Sequence, residues 1–450
     1  MSDLRRLLDD GKPIFGTDGV RGIAGSELTP ELAIAIGRAA GSWLRGGPFL
    51  VGMDTRRSGS MLSLALQAGV HASGIDTVDV GVLPSGGISY LVSNGPATMG
   101  AIVSASHNPA EDNGIKLLAA RGTKLPDDVE RDLETRLRAT GSKSALGANI
   151  GFRTVNNDGI WSYLDHLAAL SRYSLSGLEI ALDCANGAAY KAAPTLFERL
   201  NAQVQVFHAE PDGTNINAGC GATHPEFLAR VANGRIGLAF DGDADRLIAV
   251  DEDGRVANGD VILAILARHL KAQGRLKGDR VVATVMSNLG FRKSMEEAGI
   301  ELVETPVGDR HVMDALVDTG AALGGEQSGH IIFPELGSTG DGLLTAIQLL
   351  NVVAGTGKEL RQLRAETIVE YPQVLENVRI DRMVDLDQAT ELWEEVRWVE
   401  EELGDQGRVL VRPSGTEPVV RIMVEAPSES AARGYADRLA MVTRTKLIKE

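Results

Sequence analysis

Three times along this 450-residue chain, a short β-branched run ends in a turn containing Gly and Asp or Asn and then passes into a helix-like segment. The stretches are FLVGMDTRRSGSMLSLALQAG, LEIALDCANGAAYKAAPTLFERL and RVVATVMSNLGFRKSMEEAG, beginning near residues 49, 178 and 280. Strands alternating with helical periodicity read as β-α units of parallel or mixed sheets. One unit falls in each of three predicted α/β domains. The final stretch differs: VLENVRI, RVLVRP and PVVRIMVEA, with a charged helix near 386–403 and a closing helix near 428–448, predict a small α+β domain. The expected boundaries are 1–150, 151–250, 251–365 and 366–450, with the Gly/Ser/Lys-rich ATGSKSALGANIG as a linker or loop.

Aromatic residues make up only 4% of the chain, so the cores must rely on Val, Ile, Leu and Ala. A net charge of −16 argues against nucleic acid or a membrane surface as partner, because phosphate polymers repel such a protein. An anionic ligand would need a local basic site. Cys184 and Cys220 are too few for a disulfide framework and lack metal-ligand spacing, which predicts buried thiols in a reducing compartment. The opening MSDLRRLLDDGK has no signal-peptide core, and the apolar run AIAIGRAAGSWL is broken by Arg38. A cytoplasmic location is expected.

The segment IVSASHNPAEDNG offers Ser104, Ser106 and His107 without a Gly-x-Ser-x-Gly elbow, so a hydrolase triad is not indicated. Further on, IGLAFDGDADRLIAVDEDG carries Asp241, Asp243 and Asp245. In an extended segment alternate residues share a face, so the three carboxylates are expected to converge and to require a cation. All-oxygen ligands suit Mg²⁺ or Ca²⁺ rather than zinc. An EF-hand count places Glu252 at position 12. It also places Arg246 where the sharp turn demands Gly, and the flanks read as strands rather than helices.

Four further loops carry polar groups. VRPSGTEPVVR offers Arg412, Ser414, Gly415 and Thr416, with Arg421 on the next strand, a set that suits a phosphate but is not a Walker loop. GGEQSGH places Glu326, Ser328 and His330 where a sugar's vicinal hydroxyls could be met. FGTDGVRG adds Arg21 and TPVGDR adds Arg310. Singly, each reads better as an ordinary turn than as a binding loop.

Taken together and in this order, the motifs resemble those of the α-D-phosphohexomutase superfamily over essentially the whole chain. SASHNP is similar to its phosphoserine loop, DGDADR to its metal loop, GEQSGH to its sugar-binding loop and RPSGTEP to its phosphate-binding loop. FGTDGVRG and PDGTNINAGCGATHPE resemble the glucosamine branch. The resemblance implies a four-domain α/β architecture, with three mixed-sheet domains and a C-terminal α+β domain around a central cleft. It implies interconversion of glucosamine 6-phosphate and glucosamine 1-phosphate through a phosphoserine enzyme and a glucosamine 1,6-bisphosphate intermediate, feeding UDP-N-acetylglucosamine and cell-wall precursor synthesis. Ser106, directly before HNP, would carry the phosphate, with one Mg²⁺ on Asp241, Asp243, Asp245 and Ser106. His107, Lys116 and Arg246 would add positive charge or proton transfer, with Lys116 favoured as general acid/base and His330 second. Arg21, Arg246, Arg310, Glu326, Ser328, His330, Arg412, Ser414, Gly415, Thr416 and Arg421 would bind the sugar phosphate.

The motif VGMDTRRSG departs from the pattern at Met53, where an arginine is expected; Arg56 or Arg57 would serve instead. The alternatives are a phosphoglucomutase or phosphomannomutase, and a non-catalytic sugar-phosphate sensor. The implied partner is a small phosphosugar, and a homodimer is left open.

Overall fold

A computed structural model describes residues 13–16, 19–139, 144–380, 386–413 and 418–447. The chain divides into two compact units, one running to Val285 with Ile300–Glu366, the other comprising Met286–Gly299 and the chain from Thr367 onward.

The first unit holds three sheets. The first is built from β1 (Val20–Ile23), β2 (Phe49–Met53), β3 (Thr77–Val82), β4 (Met99–Val103), β5 (Asp112–Ala119) and β6 (Arg153–Val155), in the order β1-β5-β4-β2-β3-β6. The second comprises β7 (Glu179–Asp183), β8 (Gln203–Phe207), β9 (Ile236–Phe240), β10 (Leu247–Val250) and β11 (Val256–Ala257), ordered β11-β10-β9-β7-β8. The third comprises β12 (Arg280–Thr284), β13 (Glu301–Thr305), β14 (Gly324–Gly325) and β15 (Ile331–Ile332), ordered β13-β12-β14-β15.

One four-strand pattern recurs in all three. β5-β4-β2-β3, β10-β9-β7-β8 and β15-β14-β12-β13 each pair three strands in parallel and add a fourth, antiparallel, at one side. The repeat read from the sequence is the first strand of each set: β2, β7 and β12. β4 and β9 are buried along their whole length, as strands covered on both faces must be, and they read as the unbroken apolar runs MGAIV and IGLAF. The sharp consequence is topological. The links β4–β5, β9–β10 and β14–β15 are the same connection in three copies, and they carry Ser106, the Asp triplet, and Glu326 to His330 respectively.

Helix ends are fixed by the sequence. Thr29 accepts from Leu32 N at 3.2 Å ahead of Pro30, and Asn258 caps the helix Gly259–Ala272. Asp341 caps Gly342–Thr356 by accepting from Leu343 N and Leu344 N.

The second unit is an antiparallel sheet of β16 (Gln373–Arg379), β17 (Arg408–Pro413) and β18 (Val419–Glu425), ordered β16-β18-β17. Here β16 alternates, burying Val374 and Val378, because only one face is covered. Helices Thr390–Leu403 and Glu429–Leu447 supply Leu392, Val396, Ala436 and Leu439 to its core. The helix Leu289–Glu297, which follows β12 in the chain, belongs to this second unit.

Candidate active site

The two serines of the β4–β5 connection have different surroundings. Ser104 is fully buried; its hydroxyl donates to Asp54 Oδ2 at 2.6 Å and accepts from Ser106 N at 2.9 Å. Ser106 sits in the left-handed region at φ 51°, an uncommon position for a residue with a Cβ. Its Oγ donates to Asp241 Oδ2 at 2.6 Å and lies 3.5 Å from His107 Nδ1. Ser104 is therefore used up inside the loop, while Ser106 faces the acids.

His107 follows Ser106 in the same connection. Burial first, and then the Arg246 and Arg21 guanidiniums, push its imidazole down to about 4. That favours the neutral imidazole over the charged one and leaves the proton-transfer reading standing.

Asp241, Asp243 and Asp245 are buried, with one oxygen of each within 4.8 Å of the others. The convergence was expected from alternation along a strand, and its cause is different. β9 ends at Phe240, the chain turns back through Ala244 at φ 58°, and β10 resumes at Leu247. A turn, not a pleat, gathers the carboxylates. The strands on both sides rule out an EF-hand.

Two unit charges 4 Å apart repel by about 4 kcal/mol at an effective dielectric of about 20. Burial, together with Asp245 and Asp243, accordingly pushes Asp241 well above the usual carboxylate range. Burial also opposes ionisation of Asp245, but Lys116, His330 and Arg246 outweigh it and hold that carboxyl well below the usual range. Lys116, on β5, reaches Asp243 Oδ2 at 3.2 Å and Asp245 Oδ2 at 3.6 Å. Even so, Asp243 Oδ1 and Asp245 Oδ1 are buried with no hydrogen-bond partner among the described residues. Buried anionic oxygens left this way fit a hard cation, and the all-oxygen donor set fits Mg²⁺.

Asp243 Oδ2 also accepts from Ser85 Oγ at 2.7 Å. At Gly242 an added Cβ would stand 2.5 Å from Ser106 O, so only glycine lets the acid turn approach the serine loop this closely.

A cavity of about 390 Å³ adjoins this centre, and Arg21, Ser106, Asp245, Arg246, Glu326 and His330 all line it. In the β14–β15 connection, Glu326 Oε1 accepts from Gly308 N at 3.0 Å, and Ser328 Oγ is buried without a partner among the described residues. His330 lies 3.5 Å from Asp245 and 4.0 Å from Asp309. Burial disfavours its charge, but Asp245, Asp309 and Glu326 together raise it to about 9. Arg310 also lines the cavity, with its guanidinium bonded to Leu125 O at 2.7 Å and paired with Asp127 and Glu130.

In the second unit, Arg412 and Arg421 face each other in register on β17 and β18. Like charges directly opposite are unfavourable unless an anion joins them. Burial and then Arg421 lower the Arg412 pKa, consistent with that crowding. Ser414, Gly415 and Thr416 lie outside the described residues.

Met53 packs against the core of the first sheet. Neither arginine offered in its place lines the cavity: Arg56 is enclosed in the Ser106 loop and Arg57 is exposed. Sequence reasoning missed Ser85 and Asn217. Ser85 begins a helix that carries no chemical signature; Asn217 lies in PDGTNINAGCGATHPE, whose resemblance to the glucosamine branch was the available signal. Cys184 and Cys220 are buried free thiols, and burial, then Asp183, pushes Cys220 up to about 12.

Models of the phosphoglucomutase/phosphomannomutase family match in four pieces: alpha/beta/alpha domain I at residues 12–144, domain II at 161–254, domain III at 258–371 and the C-terminal domain at 375–442. The phosphoglucosamine mutase of Desulforudis audaxviator is 48% identical over 438 residues, covering 95% of this chain and 97% of its own. Among solved structures, a phosphoglucomutase/phosphomannomutase family protein from Burkholderia thailandensis superposes with a TM-score of 0.80 at 26% identity, over 96% of this chain and 97% of its own. The N-acetylphosphoglucosamine mutase of Aspergillus fumigatus, solved with GlcNAc-6P and magnesium, gives 0.72 at 18% identity over 99% of each chain, a likeness of fold. Among the described residues no helix is long and apolar enough to cross a membrane.

Proposed function

The chain belongs to the phosphoglucomutase/phosphomannomutase family, and from that premise we propose that it interconverts glucosamine 6-phosphate and glucosamine 1-phosphate by way of a phosphorylated Ser106. It is an isomerase of the phosphohexomutase class. The observation that carries the proposal is the 2.6 Å bond from Ser106 Oγ to Asp241 Oδ2, which sets the cavity-lining serine of its loop against the acid triplet.

The phosphoryl group passes from Ser106 Oγ to the free hydroxyl of the bound sugar phosphate, breaking one P–O bond as another forms. The resulting bisphosphate turns over in the site, and its other phosphoryl group returns to Ser106. Serine needs no triad for this, because the group it donates is stored covalently. Asp241, Asp243 and Asp245 would hold Mg²⁺, with a phosphate oxygen from Ser106 as a further ligand. When bound, that cation supplies charge against the phosphoryl oxygens.

Lys116 is the proton carrier for the attacking hydroxyl and the departing serine oxygen. Arg246 and Arg21 bring cationic charge to the cavity that adjoins Ser106. Glu326, Ser328 and His330 take the sugar hydroxyls, and Arg412 and Arg421 take the phosphate that is not being transferred, with Ser414, Gly415 and Thr416. Arg310 contributes once freed from Asp127 and Glu130. The relatives' names favour glucosamine as the sugar, and a sugar-phosphate substrate with free cysteines fits a cytoplasmic setting.

A coupled assay across glucosamine, glucose and mannose 6-phosphates, with and without chelator, tests the proposal. Metal-dependent turnover of glucosamine 6-phosphate ahead of the other two is expected. Absence of turnover with added bisphosphate would overturn it.

A further inference from the structure

Arg56 has no place in the substrate cavity, yet every hydrogen-bond donor on its guanidinium is occupied. A guanidinium carries five N–H groups. Nε donates to Asp54 Oδ2 at 2.9 Å. Nη1 donates to the carbonyls of Pro109 and Asp112, the latter at 3.0 Å. Nη2 donates to Ser106 O at 2.9 Å and Asn108 O at 2.8 Å. Four of the five acceptors are main-chain carbonyls, three of them in the connection that carries Ser106 and the fourth on Asp112, where β5 begins. The side chains of Arg56 and Asp54 are both completely buried. Asp54 also accepts from Arg56 N at 2.8 Å and from Ser104 Oγ, which in turn holds Ser106 N.

The loop is thus gripped from within by one cation and its carboxylate. The grip fixes the peptide carbonyl of Ser106, the residue whose φ is positive. Turning that carbonyl inward accompanies the left-handed backbone that aims Oγ at Asp241. Asn217 Nδ2, reaching across from the second sheet's domain, takes the same two carbonyls, Ser106 O at 2.9 Å and Asn108 O at 3.1 Å.

We propose that Arg56 is the positioning residue of the phosphoryl-carrying loop, holding Ser106 Oγ at one place while the phosphoryl group leaves and returns. The inference rests on the mutase reading above. Lysine cannot replace it, because an ammonium has three donors on a point charge and cannot span four carbonyls and a carboxylate. Misplacing a reacting group by about 1 Å costs about 100-fold in rate. Since Arg56 does not line the cavity, its loss should slow transfer and leave affinity alone.

The test uses the full-length enzyme carrying Arg56→Lys, phosphorylated with glucose 1,6-bisphosphate. Single-turnover transfer to glucosamine 6-phosphate is timed, and affinity for the same sugar is measured by calorimetry on the dephosphorylated form. Transfer slowed by about 10- to 100-fold, with affinity within about twofold of wild type, is the expected result. Transfer at the wild-type rate, or weakened affinity, would overturn the inference. If Arg56→Lys fails to fold, Asp54→Asn keeps the guanidinium, removes its anionic partner and is judged by the same two measurements. A wild type that accepts no phosphoryl group would instead sink the mutase reading itself.

Discussion

Ser106 Oγ donates to Asp241 Oδ2 at 2.6 Å across 135 residues of sequence, joining the first sheet's connection to the second's. The two residues occupy the same link of the repeated four-strand pattern, β4–β5 in one copy and β9–β10 in the other. Repetition of a β-α unit therefore does more than build sheets. It brings equivalent loops, each with different chemistry, to one centre within the first unit.

Chelation should stop turnover, and Mg²⁺ should restore it better than Zn²⁺ or Ca²⁺. Asp243→Asn removes one anionic oxygen from a buried triplet in which Asp243 Oδ1 and Asp245 Oδ1 have no hydrogen-bond partner among the described residues. Losing a single electrostatic stabiliser of a transition state costs about 10²–10³-fold, and a cation ligand should cost at least that. Steady-state kcat at fixed metal concentration checks this; a variant as fast as wild type without excess metal would contradict it.

Arg412→Ala should raise KM more than it lowers kcat. On the proposed function the phosphate held there is not the one in transfer, so ground and transition states would lose the contact together. The crowding of Arg412 against Arg421 gives a second readout. Inorganic phosphate should stabilise the wild type against thermal unfolding and stabilise this variant less. An unchanged KM would make the pair structural.

How much of this was legible beforehand varies residue by residue. The triplet was legible because three carboxylates so close in sequence must either repel or share a cation, whatever the backbone does. Its mechanism of convergence was not, since nothing in DGDADR marks Ala244 as the left-handed corner. The choice of Ser106 over Ser104 came from resemblance, and the structure adds the physical ground, because Ser104 is committed to Asp54. In the pair Arg56–Arg57, identical residues side by side meet opposite fates. One is sealed beneath the loop of Ser106, 50 residues further on, and no local pattern records that. Ser85 was invisible for the same reason, and Asn217, although it lies in a motif with a signal of its own, meets partners just as distant in sequence.

Glucosamine 6-phosphate should be preferred over glucose 6-phosphate by at least about tenfold in kcat/KM. Its ammonium would meet an acceptor that glucose leaves unpaired, a loss of about 1–3 kcal/mol, and 1.4 kcal/mol is a decade. Glu326 lines the cavity, with Oε1 accepting from Gly308 N. Glu326→Gln should lower activity and narrow the preference. Equal kcat/KM values for the two sugars in the wild type would remove the glucosamine assignment and leave the family intact.

The central claim is that the phosphoryl group rides on Ser106. Phosphopeptide mapping of the enzyme after treatment with glucose 1,6-bisphosphate tests it most directly, with Ser106→Ala alongside. The account predicts one phosphoryl group on Ser106, discharged by glucosamine 6-phosphate, and neither label nor mutase turnover in Ser106→Ala. A label on Ser104, or turnover that survives in Ser106→Ala, would contradict it.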